Sequence, residues 1–296
     1  MSLMKTLKFI TTHPLNKHRK IDAVLRFLKW QLASRLIDGD VAFQWINQAR
    51  LFARLGETGI TGNIYCGLHE FPEMAFVLHT TKSADLFIDV GANAGSYTIL
   101  ACAVKGASGI SFEPIPNAYQ RLLQNIRLND LSDRVSALNI GVSDREGELL
   151  FTTSEDTTNH VIRPGEPMHN VLKVQVSTLD TVLQGRCPTI LKVDVEGFES
   201  LVIKGAQGTL SNPLLHSVIM ELNGSGQRYG FKDDDIRIAM HRYGFLPYEY
   251  EPFSKRLQSL NRNTGSSGNC LFIRNEHEVR ELIAQAPSVI VNGSKI

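Results

Sequence analysis

With 296 residues, 43% of them apolar and 21% charged, the chain has the length and composition of one large globular α/β unit and not of a disordered or fibrous protein. A formal net charge of +1 argues against nucleic acid or another polyanion as partner, and the longest apolar runs fall well short of an integral membrane segment. Cys66, Cys102, Cys187 and Cys270 are widely spaced without a C-x-x-C pair, so no zinc site or disulfide framework is expected; free thiols and the lack of a cleavable signal pattern make the cytoplasm the expected compartment.

The charge is uneven along the chain: residues 1–60 hold ten Lys/Arg against four Asp/Glu, and the remainder holds twenty-one against twenty-six. Ile21, Val24, Leu25, Leu28, Leu32 and Leu36 recur at helical spacing, with Arg26, Lys29 and Arg35 elsewhere on the surface. This basic amphipathic helix is expected to pack on the main domain or to join a second copy in a homo-oligomer, and a second helix is expected over 41–55. The glycine-rich stretch 59–71 ends in His69 and Glu70, which either cap the helix expected over 72–80 or close over a site.

The stretch from Asp85 to Thr98 organises the rest of the chain. Phe87 and Ile88 run into Asp89, then Gly91, Asn93 and Gly95 precede a helical pattern from Tyr97, which reads as buried strand, tight turn and helix start. Glycines there let the backbone turn and approach a ligand, and Asn93 tolerates a left-handed conformation. A second apolar strand ends in Glu113-Pro114, eighteen positions after Gly95, where a carboxylate can accept both hydroxyls of a ribose. The turn lacks the full G-x-G-x-x-G spacing of a nicotinamide protein, and Asp89 puts a negative charge where a pyrophosphate would lie. A cationic amino-acid moiety suits that carboxylate, which points to S-adenosylmethionine; an NAD(P)-dependent oxidoreductase and a non-catalytic cofactor-binding scaffold are the competing readings.

A helix is expected from Asn117 to Asn129 and a third strand over Val135–Val142, which leads into Ser143 and Asp144. After Gly147 an excursion containing Thr157, Thr158, Asn159 and His160 reads as a hairpin that shapes the substrate side. In Thr189 to Glu199, strand alternation puts Lys192, Asp194 and Glu196 on one face and Leu191, Val193 and Val195 on the other. A polar row in a covered parallel strand requires pairing or function: a Lys192–Asp194 ion pair with Glu196 opening a helix is the plain reading, and a site at the carboxyl edge is the other. Ser217–Asn223 repeats the apolar strand with Glu221 near its exit, Asp233, Asp234 and Asp235 open a helix, strands follow at 246–250 and 269–273, and 252–268 between them suits a mobile loop.

Four blocks together resemble the FkbM-type family of S-adenosylmethionine-dependent methyltransferases: Phe87 to Gly95, Phe112-Glu113-Pro114, Ser177-Thr178-Leu179-Asp180, and Ile190 to Glu199. The likeness spans about residues 60–275, which sets an N-terminal helical extension (1–58) apart from a methyltransferase domain (59–296). The resemblance implies a class I methyltransferase (Rossmann-like) sheet of seven strands, the last antiparallel. It places Asp89, Gly91 and Gly95 against the methionine part of S-adenosyl-L-methionine, Glu113 at the ribose hydroxyls, and Ser143 and Asp144 at the adenine, with Asn93, Tyr97, Thr98 and Pro114 also expected among the cofactor-binding residues. It further implies O-methylation of a hydroxyl on a small molecule, sugar, glycan or natural product. Such an acceptor loses a proton, for which Asp194 is the first candidate base, with Lys192 offsetting charge and Glu196 or Glu221 orienting the acceptor; His69 or His160 are the alternatives. No metal is expected, since no local spacing demands one, although carboxylates at Asp194, Glu196 and Glu221 would suit a divalent cation.

Overall fold

The computed structural model describes residues 3–152, 159–163, 170–260 and 268–296. It opens with two helices, α1 (Leu3–Thr12) and α2 (Lys20–Leu36), and two strands, β1 (Val41–Gln44) and β2 (Arg50–Ala53). The helix expected over 41–55 is thus an antiparallel hairpin, Val41 opposite Ala53 and Gln44 opposite Arg50. Exposure alternates along β1 as it does in a half-covered strand, and Asn47 at φ 53° supplies a left-handed residue for the turn. The orientation of α2 also departs from expectation. Ala23, Phe27, Trp30 and Ser34 face inward, whereas Ile21, Leu25, Leu28, Leu32 and Leu36 stay exposed. The small Ala23 and Ser34 let the helix approach closely while the two rings fill the space between them.

Next come α3 (Thr58–Cys66), α4 (Phe71–Thr80), β3 (Leu86–Val90), α5 (Ser96–Ile99), β4 (Ser108–Phe112), α6 (Pro116–Leu128) and β5 (Val135–Leu138). The strand expected over Val135–Val142 is divided, because β6 (Gly141–Val142) leaves the main sheet. It joins β7 (Gly147–Thr152) and β8 (Val171–Ser177) in a three-stranded sheet ordered β6-β8-β7. β7 and β8 pair antiparallel, as expected of the excursion after Gly147. Thr157 and Thr158 lie outside the described residues.

Thr178 caps α7 (Leu179–Leu183) by accepting the N–H of Thr181, and β9 (Ile190–Val193) follows. Then come α8 (Glu199–Lys204), α9 (Gln207–Ser211), β10 (Ser217–Leu222), α10 (Asp233–Arg242), β11 (Leu246–Glu251), β12 (Arg256–Ser259) and β13 (Gly268–Ile273). After them are α11 (Glu276–Gln285), β14 (Ile290–Val291) and β15 (Ser294–Lys295). β12 lies within the expected loop 252–268 and pairs back on β11, Glu251 opposite Arg256; residues 261–267 lie outside the described residues.

The central sheet is ordered β12-β11-β13-β10-β9-β3-β4-β5. β3, β4, β5, β9 and β10 are parallel, and β13 runs antiparallel between β10 and β11. The seven expected strands are present with the last antiparallel, and β12 adds an eighth at the edge. Helices cover both faces, so successive strand residues enter two different apolar cores. Phe87, Ile190 and Ile219 meet α4, α6 and the N-terminal helices, while Ile88, Val90, Leu191, Val193 and Val218 meet α7 to α10. The chain moves outward from β3 through β4 to β5 and returns on the other side of β3 with β9. That reversal opens a crevice at the carboxyl ends of β3 and β9.

Candidate active site

Asp89 is the penultimate residue of β3 and is buried. Its Oδ2 accepts from the Thr98 hydroxyl at 2.7 Å, while Oδ1 is buried with no hydrogen-bond partner among the described residues. Burial pushes this carboxyl above the usual range against the pull of the Lys192 ammonium. Gly91 follows at φ 80°, and a β-carbon there would collide with the carbonyl oxygen of Asp194. At Gly95, φ 92°, a β-carbon would stand 2.6 Å from Leu122 Cδ1. Both glycines are therefore required by the chain's own packing. Asn93 takes up φ 50°, its Oδ1 accepts the N–H of Ala94 at 2.7 Å, and its own N–H donates to Glu113 Oε2 at 2.8 Å.

Glu113 joins two turns, since its Oε1 also accepts the N–H of Ile115 at 2.9 Å. Burial pushes its carboxyl up to about 7 although both amides favour the ionised form. Ser143 and Asp144 bond to each other at 3.3 Å, and the Ser143 carbonyl packs against Gly205. The cavity wall at that point is formed instead by Ile140, Gly141 and Val142, because β6 turns away into the small sheet.

The polar row after β9 comes together by a route other than strand alternation. β9 stops at Val193, Glu196 stands at φ 53°, and the next helix begins at Glu199 and not at Glu196. Glu199 Oε1 accepts the N–H groups of Val195 and Gly197, each at 3.2 Å, and so pins the turn that carries Glu196. Asp194, Glu196 and, from β10, Glu221 thereby bring carboxylate oxygens within 4.8 Å of one another. Lys192 Nζ donates to Asp194 Oδ2 at 2.9 Å and lies 4.9 Å from the centre of the Tyr97 ring, whose hydroxyl donates to Glu70 Oε2 at 2.6 Å.

Burial by itself would lower the Lys192 ammonium, but Asp194, Glu70 and Asp89 outweigh it and hold it above its usual value. Burial, then Asp194 and Glu199, push Glu196 up to about 7, and burial, then Asp194 and Glu196, push Glu221 up to about 8. Carboxylates this close do not all ionise together at neutral pH, so the cluster can store and move a proton. The three oxygens are also near enough for a hard divalent cation, yet Lys192 already supplies a neutralising charge.

One cavity of about 1070 Å³ unites Asp89, Glu113, Lys192, Asp194, Glu196 and Glu221. Gly91, Asn93, Tyr97 and Pro114 also line it; Gly95 and Thr98 stand behind the wall, where they shape the turn and hold Asp89. His69 and Glu70 reach the cavity as well. Glu70 occupies the cap position of α4 without a side-chain cap bond, so the site-facing reading replaces the capping one. Asn159 lines the wall where His160 does not. Unforeseen are the contributions of α1 and α2, Phe9, Phe27, Trp30, Gln31 and Arg35. Their signal was the pair of rings at i, i+3 opposite the leucine stripe.

The model of the methyltransferase FkbM domain matches residues 89–247, which run from the carboxylate of β3 through both site blocks into β11. The chain belongs to the FkbM methyltransferase family. Two curated relatives of this FkbM-family chain are also methyltransferases. Hexuronic acid methyltransferase AglP of Haloferax volcanii is 31% identical over 153 residues, covering 50% of this chain and 59% of AglP. Methyltransferase sdnD of Sordaria araneosa is 25% identical over 226 residues, covering 64% of this chain and 87% of sdnD. The chain thus spans less than two thirds of AglP. Among solved structures, methyltransferase FkbM of Methylobacillus flagellatus aligns over 86% of this chain and 60% of its own, at 15% identity and a TM-score of 0.43.

Proposed function

We propose that this FkbM-family methyltransferase uses S-adenosylmethionine to methylate a hydroxyl of a sugar, glycan or natural product. In this reading residues 59–296 form the catalytic domain and 1–58 an extension that completes its cavity wall. The observation that carries it is the union, in one cavity at the sheet's switch point, of the buried pair Asp89 and Glu113 with the Lys192, Asp194, Glu196, Glu221 cluster. The likeness to a hexuronic acid methyltransferase supports a sugar acceptor.

The residues fit the cofactor. Asp89 Oδ1 lacks a donor among the described residues, a deficit that an α-ammonium group would fill. Glu113 is fixed by two backbone amides, and its carboxylate oxygens keep lone pairs for a ribose diol. Gly91, Asn93, Tyr97 and Pro114 would complete the holding set, with Gly95 and Thr98 maintaining its shape, and Ile140 to Val142 take the adenine side in place of Ser143 and Asp144. When bound, S-adenosylmethionine supplies a methyl group activated by its sulfonium.

The chain's own contribution is alignment and proton removal. Asp194 takes the acceptor's hydroxyl proton, Lys192 offsets the charge that develops on oxygen, and Glu196 and Glu221 orient the acceptor and pass the proton on. Calorimetric titration with S-adenosylhomocysteine, with NAD and NADP as controls, tests the cofactor reading. One-site binding that Glu113→Ala weakens about tenfold or more is expected. Binding unaffected by that substitution, or preference for a dinucleotide, overturns it.

A further inference from the structure

The leucine stripe of α2 lies on the exposed side of the helix among the described residues. Ile21, Leu25, Leu28, Leu32 and Leu36 follow one another at spacings of three and four, and each is between 48% and 77% exposed. They continue a wider surface: nine of the thirteen exposed large apolar side chains among the described residues precede residue 56, with Leu3 and Met4 of α1, Ile37 and Leu55 completing the group. Isolated exposed leucines are ordinary, but a continuous stripe of them marks an interaction face. Charge selects what meets it. Residues 3–37 carry eight Lys/Arg against the single acid Asp22. Lys5, Lys8, Lys17, Lys20, Lys29 and Arg35 among them are exposed. A second copy would bring two such cationic segments together with only Asp22 of each as acidic counterpart, whereas an anionic lipid surface neutralises them while it takes up the leucines.

We propose that α1 and α2 form a docking face for an anionic bilayer, with the α2 stripe lying in the plane of the headgroups and the basic side chains at the phosphate level. The inner side of α2, Ala23, Phe27, Trp30 and Ser34, stays on the protein, so the helix bridges core and lipid without unfolding. No helix among the described residues is long and apolar enough to cross a membrane, which makes this a surface attachment. Leu3 and Leu55 are exposed on the patch and also line the cavity, so the docking face runs into the cavity's rim.

Flotation of the full chain with vesicles tests the proposal independently of the cofactor and the reaction. Vesicles of phosphatidylcholine with about a third phosphatidylglycerol should carry the chain upward in a salt-sensitive way, and pure phosphatidylcholine should not. Lys17→Gln, Lys20→Gln and Lys29→Gln should each weaken binding about fivefold. Leu25→Ser, Leu28→Ser and Leu32→Ser combined should weaken it at least about a hundredfold with little change in melting temperature, since these side chains lie on the exposed face of α2. Failure to float with anionic vesicles, or flotation that survives the leucine substitutions, overturns the proposal. So does a stable dimer by light scattering that those substitutions dissociate, which would place a second copy on the face.

Discussion

Gly91 and Asp194 are far apart in the chain and depend on each other, because the carbonyl oxygen of Asp194 occupies the place where a β-carbon on Gly91 would sit. At φ 80° the added methyl of Gly91→Ala meets both backbone strain and that oxygen. We expect a loss of about 3 kcal/mol in urea unfolding; a loss under about 1 kcal/mol would mean that the two strand ends separate easily. Asp194→Asn probes chemistry instead. Once an acceptor is in hand it should lower kcat by about 10² to 10⁴ while S-adenosylhomocysteine affinity changes little, and undiminished turnover would remove Asp194 from the base role. Asp89, Glu113, Lys192 and Asp194 could be picked out from sequence because each is a charged residue within or just after an apolar strand, where burial demands a reason. Ser143 and Asp144 could not be placed, since nothing local announces that β6 leaves the main sheet.

Among elements, the hairpin β1–β2 is tied to the turn at 91–95 through one side chain of α6. Asn125 is fully buried; its Oδ1 accepts the N–H of Phe52 at 2.7 Å and its Nδ2 donates to the carbonyl of Ala94 at 2.8 Å. Asn125→Ala leaves a backbone donor and a backbone acceptor without this partner, at a cost of about 2 to 4 kcal/mol, and weakens S-adenosylhomocysteine binding along with stability. A variant that loses stability but binds as before would separate the hairpin from the site. Arg121 of α6 holds the two flanks of the hairpin by charge, 2.7 Å from Asp40 and 2.9 Å from Glu57. Residues 41–55 read as helix because their apolar side chains are dense enough to match that period, and the alternation in β1 and β2 is only four residues long in each strand. The leucine stripe of α2 read as the packed face for a related reason: periodicity identifies an apolar face, but it does not say which of two apolar faces the rest of the chain will cover.

For the molecule as a whole, buried ionisable groups make stability depend on pH. Glu73, Glu113, Glu196 and Glu199 are raised from 4.5 to about 7 and Glu221 to about 8, each first by burial. The folded state therefore binds their protons more tightly than the unfolded chain, and the stability they contribute is lost as pH rises through 7 to 8. His13, His79 and His216 are lowered from 6.5 to about 4, again first by burial, and their contribution is lost in the opposite direction, as pH falls from 6.5 toward 4. Below 6.5 the two groups oppose each other; above it the carboxyls act alone. The melting temperature should accordingly fall between about pH 6.5 and about pH 8, with a shallower slope in Glu221→Gln, and a midpoint that rises over this interval contradicts the assignment. By itself the sequence determined the strand–turn–helix at Asp89, the acid at Glu113, the polar row from Lys192 and the family they indicate. These are encoded by residue type and period within about a dozen positions, where local sterics and burial decide. Only the tertiary structure decided that β10 brings Glu221 to Asp194 and Glu196, that β12 extends the sheet, and that α2 gives its rings to the cavity and its leucines to the surface. Those outcomes depend on contacts between segments distant in the chain, whose free energy belongs to the packed whole and to no stretch of it.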